Sequence, residues 1–426
     1  MTSRSPSGGV RTLFLHGSLA FGATTAVNAL NFVFHVAGSR WLGPIDYGTV
    51  AALLNLLALA SIPATVIQLL VAKLVAELHA LGDEERVRAV FERLERFCNW
   101  AAVLILALGA LAVYPLAAGL HVAQPLAVVW TICVVSLGPA LAGLRGILQG
   151  EQRFAAFGAS LVIEAVGKSI LGVGLIAAHL GVAGALGGYL VGTIASRVYT
   201  GLAVRGGLPA ARLPLLLDVR RLWQSTQGIA VMQACIILLS FSDIVVAKHF
   251  FDAVEAGIYS AVALTGKILL FLVGFVPLLV LPRAAARSAQ GRSALDVIGF
   301  AGAFLALAAG VVLGIFAAAP ESIVRLTSGS AYLSAAPFIV NYGIAMTLLS
   351  ATQIVATYNA GRHRFGFVVP LAVVTVGEIV GLVAGPHQTG AIVRVVEIGN
   401  ACALGATGIP YFSERIFSRF ASIAGH

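Results

Sequence analysis

Residues 145–158 read RGILQGEQRFAAFG, and at their centre Gly150-Glu151-Gln152-Arg153-Phe154 interrupts two long apolar runs. The pattern Gly-x-x-Arg-Phe returns 211 positions later as Gly361-Arg362-His363-Arg364-Phe365, again between apolar runs. Pro63 answers Pro277, and Tyr47-Gly48 answers Ala256-Gly257, at nearly the same offset. Repetition at half the chain length predicts two halves of like build and like orientation, as in two-bundle transporters with a substrate site between the halves. The loop pattern itself has two readings. Either glycine ends a helix and arginine anchors it at the headgroups, or Arg145, Arg153 and Arg364 of these cytoplasmic loops touch substrate.

The chain is 59% hydrophobic and 11% charged over 426 residues, whereas soluble domains carry about 25% charged residues. A soluble protein this apolar would expose patches larger than monomers tolerate. Runs such as Ala51–Ala72 and Phe300–Ala319 suffice to cross a hydrocarbon core ~30 Å thick. The composition predicts an all-α polytopic membrane protein with about twelve spans, from 13–38 and 47–77 through 389–411. The spans divide into residues 1–204, a six-helix bundle, a cytoplasmic linker at 205–222 containing Pro209 and Pro214, and a second six-helix bundle at 223–426.

The net charge of +9 comes from 27 basic and 18 acidic residues. With the N-terminus inside, nineteen of the 27 fall in cytoplasmic segments and only Arg40, Lys248 and Arg325 in outer ones. Positive residues retained on the inner side account for this bias without nucleic acid. They place both termini in the cytoplasm of a cell whose plasma or inner membrane holds the protein. A basic start followed by an apolar run resembles a signal peptide, but the polar stripe of the first span argues for a retained helix. Cys98, Cys133, Cys235 and Cys402 lack metal-site spacing and suit small buried hydrophobes. No Walker loop, His-Glu-x-x-His or Gly-x-Ser-x-Gly occurs. The longest outer segment, about Ala319–Tyr332, is too short for a catalytic domain. The expectation is therefore no enzyme, no metal and no cofactor, with an ion gradient, such as a proton or sodium gradient, among the candidate drives.

Charge at the bilayer centre costs roughly 2.5–3.5 kcal/mol even on a lenient scale, so buried charges should face protein or water. Thr24, Asn28, Asn31 and His35 fall on one face of the first span, and Ser350, Gln353 and Thr357 on one face of the tenth. Glu164 with Lys168, and Arg394 with Glu397, read either as self-satisfied helix pairs or as cavity lining. Arg197, Lys267 and Glu378 stand as single charges. A wet, net-positive cavity lined by Arg40, Arg197 and Lys267 would suit an anionic substrate. Glu378, then Glu164, are the candidates for ion coupling, because an isolated carboxyl in a dry setting exchanges protons nearer neutrality.

The stretch Gly38-Ser39-Arg40-Trp41-Leu42-Gly43-Pro44-Ile45-Asp46-Tyr47-Gly48 resembles a signature of polysaccharide-biosynthesis flippases. These belong to the multidrug/oligosaccharidyl-lipid/polysaccharide exporter superfamily. Arg145–Phe154 is similar to that family's fourth-to-fifth loop. Ser242-Asp243, Lys248–Phe251 and Glu255–Ser260 are similar to its seventh-to-eighth region. The resemblance implies a MATE-like fold of two bundles in a V. It implies flipping of a polyprenyl-phosphate- or pyrophosphate-linked saccharide to the outer leaflet, for cell-envelope polysaccharide assembly. The implied partners are an anionic lipid-linked saccharide, membrane lipids, and glycosyltransferase or polymerase proteins. Two alternatives stand beside it: a cation-coupled multidrug antiporter of the same superfamily, and a non-catalytic scaffold for cell-wall enzymes.

Overall fold

Gly43 has φ 70° and ψ 177° in the middle of a helix that otherwise runs from Pro6 to Ala60, α1. That backbone is open to glycine and hard for any residue with a Cβ. Pro44 follows it, where a fixed φ and a missing N–H suit a new helical start. The first two expected spans are thus joined by a kink rather than a loop. The computed structural model describes residues 6–206, 219–289 and 295–424. The expected linker's Pro209 and Pro214, and residues at both extreme ends, lie outside the described residues.

The chain forms two compact units. The first contains Met1–Leu42 and Ala60–Thr226; the second contains Gly43–Leu59 and Gln227–His426. The expected division between 204 and 223 lies close to the boundary after Thr226, and Gly43–Leu59 is grouped apart from the helices on either side of it. The part of α1 after the kink belongs to the second unit, because the non-helical backbone of Gly43 breaks the helix there and Pro44 starts it in a new direction.

In the first unit α1 is followed by α2 (Ile62–Ala80), α3 (Glu84–Gly119), α4 (Pro125–Gly150), α5 (Phe154–Val166), a π-helical turn (Gly167–Leu171), α6 (Gly172–Ala177) and α7 (Gly181–Arg205). Its core joins Val71 and Val75 of α2, Val90 and Phe91 of α3, Leu144, Ile147 and Leu148 of α4, and Val204 of α7. Within lipid such side chains hold helices together by close van der Waals packing rather than by removal from water.

The second unit contains α8 (Val219–Phe250) from Gln227 onward, α9 (Ala253–Val273), α10 (Val276–Ala289), α11 (Leu295–Ala318), α12 (Pro320–Thr327), a 3₁₀ stretch (Ser330–Phe338), α13 (Ile339–Gly361), α14 (Val368–Ala384) and α15 (Thr389–Ala424). Its core joins Val273, Val276, Val280 and Ala284 to Ala301, Leu305, Ile354 and Tyr358.

Each half repeats one junction. Gly150 ends α4 against α2, where a Cβ would lie 2.7 Å from Val75 Cβ. Gly361 ends α13 against α10, where a Cβ would lie 2.9 Å from the Leu281 carbonyl. Pro63 is the second residue of α2 and Pro277 the second of α10, each just after a helix break. The sequence echo is a repeated piece of tertiary structure.

Among the described residues nine helical stretches are long and apolar enough to cross a membrane. The first, Gly22–Ala80, has 59 residues, which exceeds two crossings of about 20 residues. On α14, Val369, Val373, Val376 and Val380 are exposed while Leu371, Thr375, Glu378 and Leu382 are buried. The helix turns its valines outward and its carboxylate inward, as lipid requires.

Candidate functional site

Each unit encloses a cluster of charged and polar side chains. In the first, Arg145 was expected in a loop but lies inside α4, about one and a half turns before its end. Its guanidinium gives Nη2 to Glu164 Oε2 at 2.6 Å, Nε to Ser160 Oγ at 2.9 Å, and Nη2 to the Ser160 carbonyl at 3.1 Å and Ser196 Oγ at 3.2 Å. Thr193 of α7 donates to Glu164 Oε1 at 3.3 Å. The planar fork thus satisfies a carboxylate and two hydroxyls across three helices. Glu164 is committed to Arg145 rather than paired with Lys168 one turn away.

Lys168 lies in the π-helical turn. Its Nζ sits 5.3 Å from the Phe34 ring centroid and 5.5 Å from that of Tyr189. The Ser169 hydroxyl donates to the Leu30 carbonyl at 2.8 Å, tying the turn to α1. Gly167 and Gly172 pack backbone to backbone on Gly192 and Gly188 of α7. Positions five apart diverge by about 140° on an α-helix. A π turn, bonded i to i+5, brings both back to one face.

In the second unit Asp243 of α8 accepts the hydroxyls of Tyr259 at 2.8 Å and Tyr342 at 2.6 Å, both on Oδ2. Lys267 of α9 places Nζ 3.9 Å from Asp243 Oδ1 and donates to Asn55 Oδ1 at 3.3 Å. It also faces the Phe241 ring, 5.0 Å from the centroid. Glu378 of α14 is 4% exposed, and neither carboxylate oxygen has a hydrogen-bond partner. Asn400 of α15 is fully buried, with both side-chain polar atoms unpartnered. Gly399 beside it leaves the space that Glu378 Oε2 occupies. Asp243 lies near enough for its charge to act on Glu378. Among the described residues no three His, Cys, Asp or Glu side chains gather as metal ligands. The oxygens of Asp243, Glu378 and Asn400 offer hard donors suited to a proton or a hard cation.

The expected cavity cations are not gathered within either unit. Arg40 is exposed near the kink of α1. Arg197 Nη2 is held by Glu95 Oε1 at 2.8 Å, and Glu95 Oε2 also takes Arg205 at 2.8 Å. Thr24, Asn28, Asn31 and His35 are all half-buried on α1, Ser350 is buried and Gln353 half-buried on α13. Arg153 pairs with Glu151 at 3.2 Å, and Arg364 is half-buried in the second Gly-x-x-Arg-Phe turn. Arg394 is exposed and forms no ion pair with Glu397. Sequence reasoning missed Asp243, Tyr259, Tyr342 and Asn55 as one cluster. The available signal was Asp243, an acid inside an apolar run.

A family model described as polysaccharide biosynthesis protein matches residues 17–283, more than half of the chain. No curated protein matches. Among solved structures, an inward-facing multidrug resistance MATE family transporter of the MOP superfamily aligns with TM-score 0.73 at 11% identity, covering 94% of this chain and 98% of that one. The lipid II flippase MurJ, in an inward closed conformation, aligns with TM-score 0.65 at 13% identity over 92% and 87%. The eukaryotic MATE transporter AtDTX14 aligns with TM-score 0.62 at 14% identity over 95% and 96%. At these identities the likeness shows the fold, an all-helical membrane fold of the MATE kind.

Proposed function

Because this chain belongs to the polysaccharide biosynthesis protein family, we propose that it is a flippase for a polyprenyl-phosphate- or pyrophosphate-linked saccharide. It carries the headgroup from the cytoplasmic to the outer leaflet of the cell membrane, makes and breaks no bond, and feeds cell-surface polysaccharide assembly. The observation that supports this most is charge held inside each apolar helical unit of a chain from this family, half-buried in the first unit and buried in the second. Arg145, Glu164 and Lys168 lie in one unit, and Asp243, Lys267 and Glu378 in the other. Such groups are expensive in a membrane and mark substrate or ion paths. In this reading the chain crosses twelve times with both termini cytoplasmic, and glycosyltransferases or polymerases act before and after it.

Coupling belongs to the second unit. Glu378 has two unpartnered oxygens beside Asp243, whereas Glu164 is neutralised by Arg145. A proton or sodium ion taken up at Glu378 would reset the transport cycle. The same carboxylates favour a second reading, cation-coupled export of drugs.

Depletion of the protein from cells, followed by lipid extraction, separates the two. A flippase leaves a lipid-linked saccharide accumulated in the inner leaflet. Unchanged lipid-linked pools with raised sensitivity to cationic drugs would establish the antiporter instead. Unchanged pools with unchanged drug sensitivity would leave only the scaffold.

A further inference from the structure

Lys168 is the one basic residue of the Arg145 cluster that the fold leaves without an anion. Glu164, its nearest carboxylate on the same helix, has one oxygen on Arg145 and the other on Thr193. Its charge reaches Lys168, but it lies beyond the 4.0 Å of an ion pair, and among the described residues Nζ has neither an ion-pair nor a hydrogen-bond partner. The cluster carries two cations and one carboxylate, and so one surplus positive charge. Phe34 and Tyr189 give the ammonium two ring faces, which hold a cation by quadrupole attraction without neutralising it.

Position strengthens the case. Lys168 stands in the helical stretch Phe154–Ala177. At about 1.5 Å per residue it lies about 21 Å from the first residue and about 14 Å from the last, well inside a helical stretch long enough to cross a membrane. An unneutralised ammonium at that depth is maintained only where something favourable meets it. The π turn is the local device that presents it: Gly167 and Gly172 keep their contacts with α7 while Lys168 is directed between Phe34 of α1 and Tyr189 of α7. His35, a member of the polar stripe, packs edge-on against Phe34 at 5.5 Å, so the stripe begins beside the ammonium.

We propose that Lys168 binds the phosphate of a prenyl-phosphate headgroup during its passage, with Phe34 and Tyr189 holding the ammonium until the anion arrives. This rests on the flippase reading and replaces Arg197, which Glu95 occupies, as the cation that meets substrate in the first unit.

The test uses the purified full chain in detergent and three probes: farnesyl phosphate, farnesol and inorganic phosphate. Wild type should bind farnesyl phosphate more tightly than farnesol. Lys168→Gln should weaken farnesyl phosphate about tenfold and leave farnesol unchanged, the loss of one charge-assisted hydrogen bond. Lys168→Arg should retain most of the affinity. If Lys168→Gln does not fold, wild type alone decides, because farnesyl phosphate should shield Lys168 from acetylation, read by peptide mass spectrometry, and farnesol should not. Equal affinity of wild type and Lys168→Gln, or undiminished acetylation, overturns the role of Lys168 and leaves the flippase reading standing. Failure of wild type to prefer farnesyl phosphate over farnesol overturns both. Inorganic phosphate that binds as tightly and competes would keep the anion site and assign it to the free ion.

Discussion

Gln152 and His363 hold the same left-handed backbone, φ 58° and φ 56°, at the same step of two helix ends. Gln152 N–H bonds the Gln149 carbonyl at 3.1 Å and Arg153 N–H bonds Leu148 at 2.8 Å. His363 N–H bonds Ala360 at 3.0 Å and Arg364 N–H bonds Asn359 at 3.0 Å. Both are Schellman closures, in which two amides fold back to satisfy the last carbonyls of a helix. The Gly-x-x-Arg-Phe pattern is therefore a helix stop: glycine packs, the third residue turns left-handed, and arginine's amide closes the motif.

Glycine is the residue best suited to that third position. Gln152→Gly and His363→Gly should each stabilise the protein by about 0.5–1 kcal/mol, the relief of left-handed strain less the added freedom of the unfolded chain. Thermal unfolding in detergent measures it, and a lowered midpoint for both would show that the side chains contribute more than the strain costs.

Gly192 of α7 meets Gly167, and a Cβ on it would lie 2.6 Å from the Glu164 carbonyl oxygen. Gly192→Ala should cost about 1–3 kcal/mol, as overpacking does. The yield of monodisperse protein reads the effect. An unchanged yield and midpoint would mean that α7 can move away freely.

Glu95 is shared by Arg197 and Arg205. Arg197→Ala should destabilise by about 1–2 kcal/mol, between the values for exposed and buried pairs. Glu95→Gln in the same background should recover part of the loss. If Arg197→Ala instead leaves stability intact and abolishes flipping, Arg197 meets substrate directly.

Lys267 and Asp243 share the second unit's buried cluster. Lys267→Met leaves Asp243 uncompensated and should cost about 3–5 kcal/mol. Adding Asp243→Asn should restore folded protein without restoring transport. Recovery of transport by the double variant would confine both residues to a structural role.

Burial pushes the Glu151 carboxyl above the usual carboxylate range, outweighing the opposing pull of Arg153. A raised carboxyl favours the protonated folded state. The group therefore detracts from stability above its folded pKa, and the penalty fades as pH falls towards the ordinary carboxylate range. Glu151→Gln should stabilise the protein at neutral pH and lose that advantage in acid. Stability curves of both proteins against pH check the sign.

Much of the plan was legible in the chain. The Gly-x-x-Arg-Phe echo marks two equivalent helix ends, and the depletion of charge marks a membrane fold, because local backbone closure and transfer energy depend on nearby residues alone. The candidate site was legible only in part. Glu378, Lys267 and Arg145 could be picked out as unusual, but Tyr259 and Tyr342 look like ordinary aromatic residues until Asp243 stands between them.

By itself the sequence determined an all-helical membrane chain of repeated build, through hydropathy, glycine and proline. Tertiary structure alone decided the partners. It assigned Glu164 to Arg145 rather than to Lys168, Glu95 to Arg197, and the stretch Gly43–Leu59 to the second unit. A long side chain on a helix can reach several neighbours at similar sequence spacing. Which one it meets depends on the rotation and depth of the facing helix, and a single π turn or a single left-handed glycine changes both.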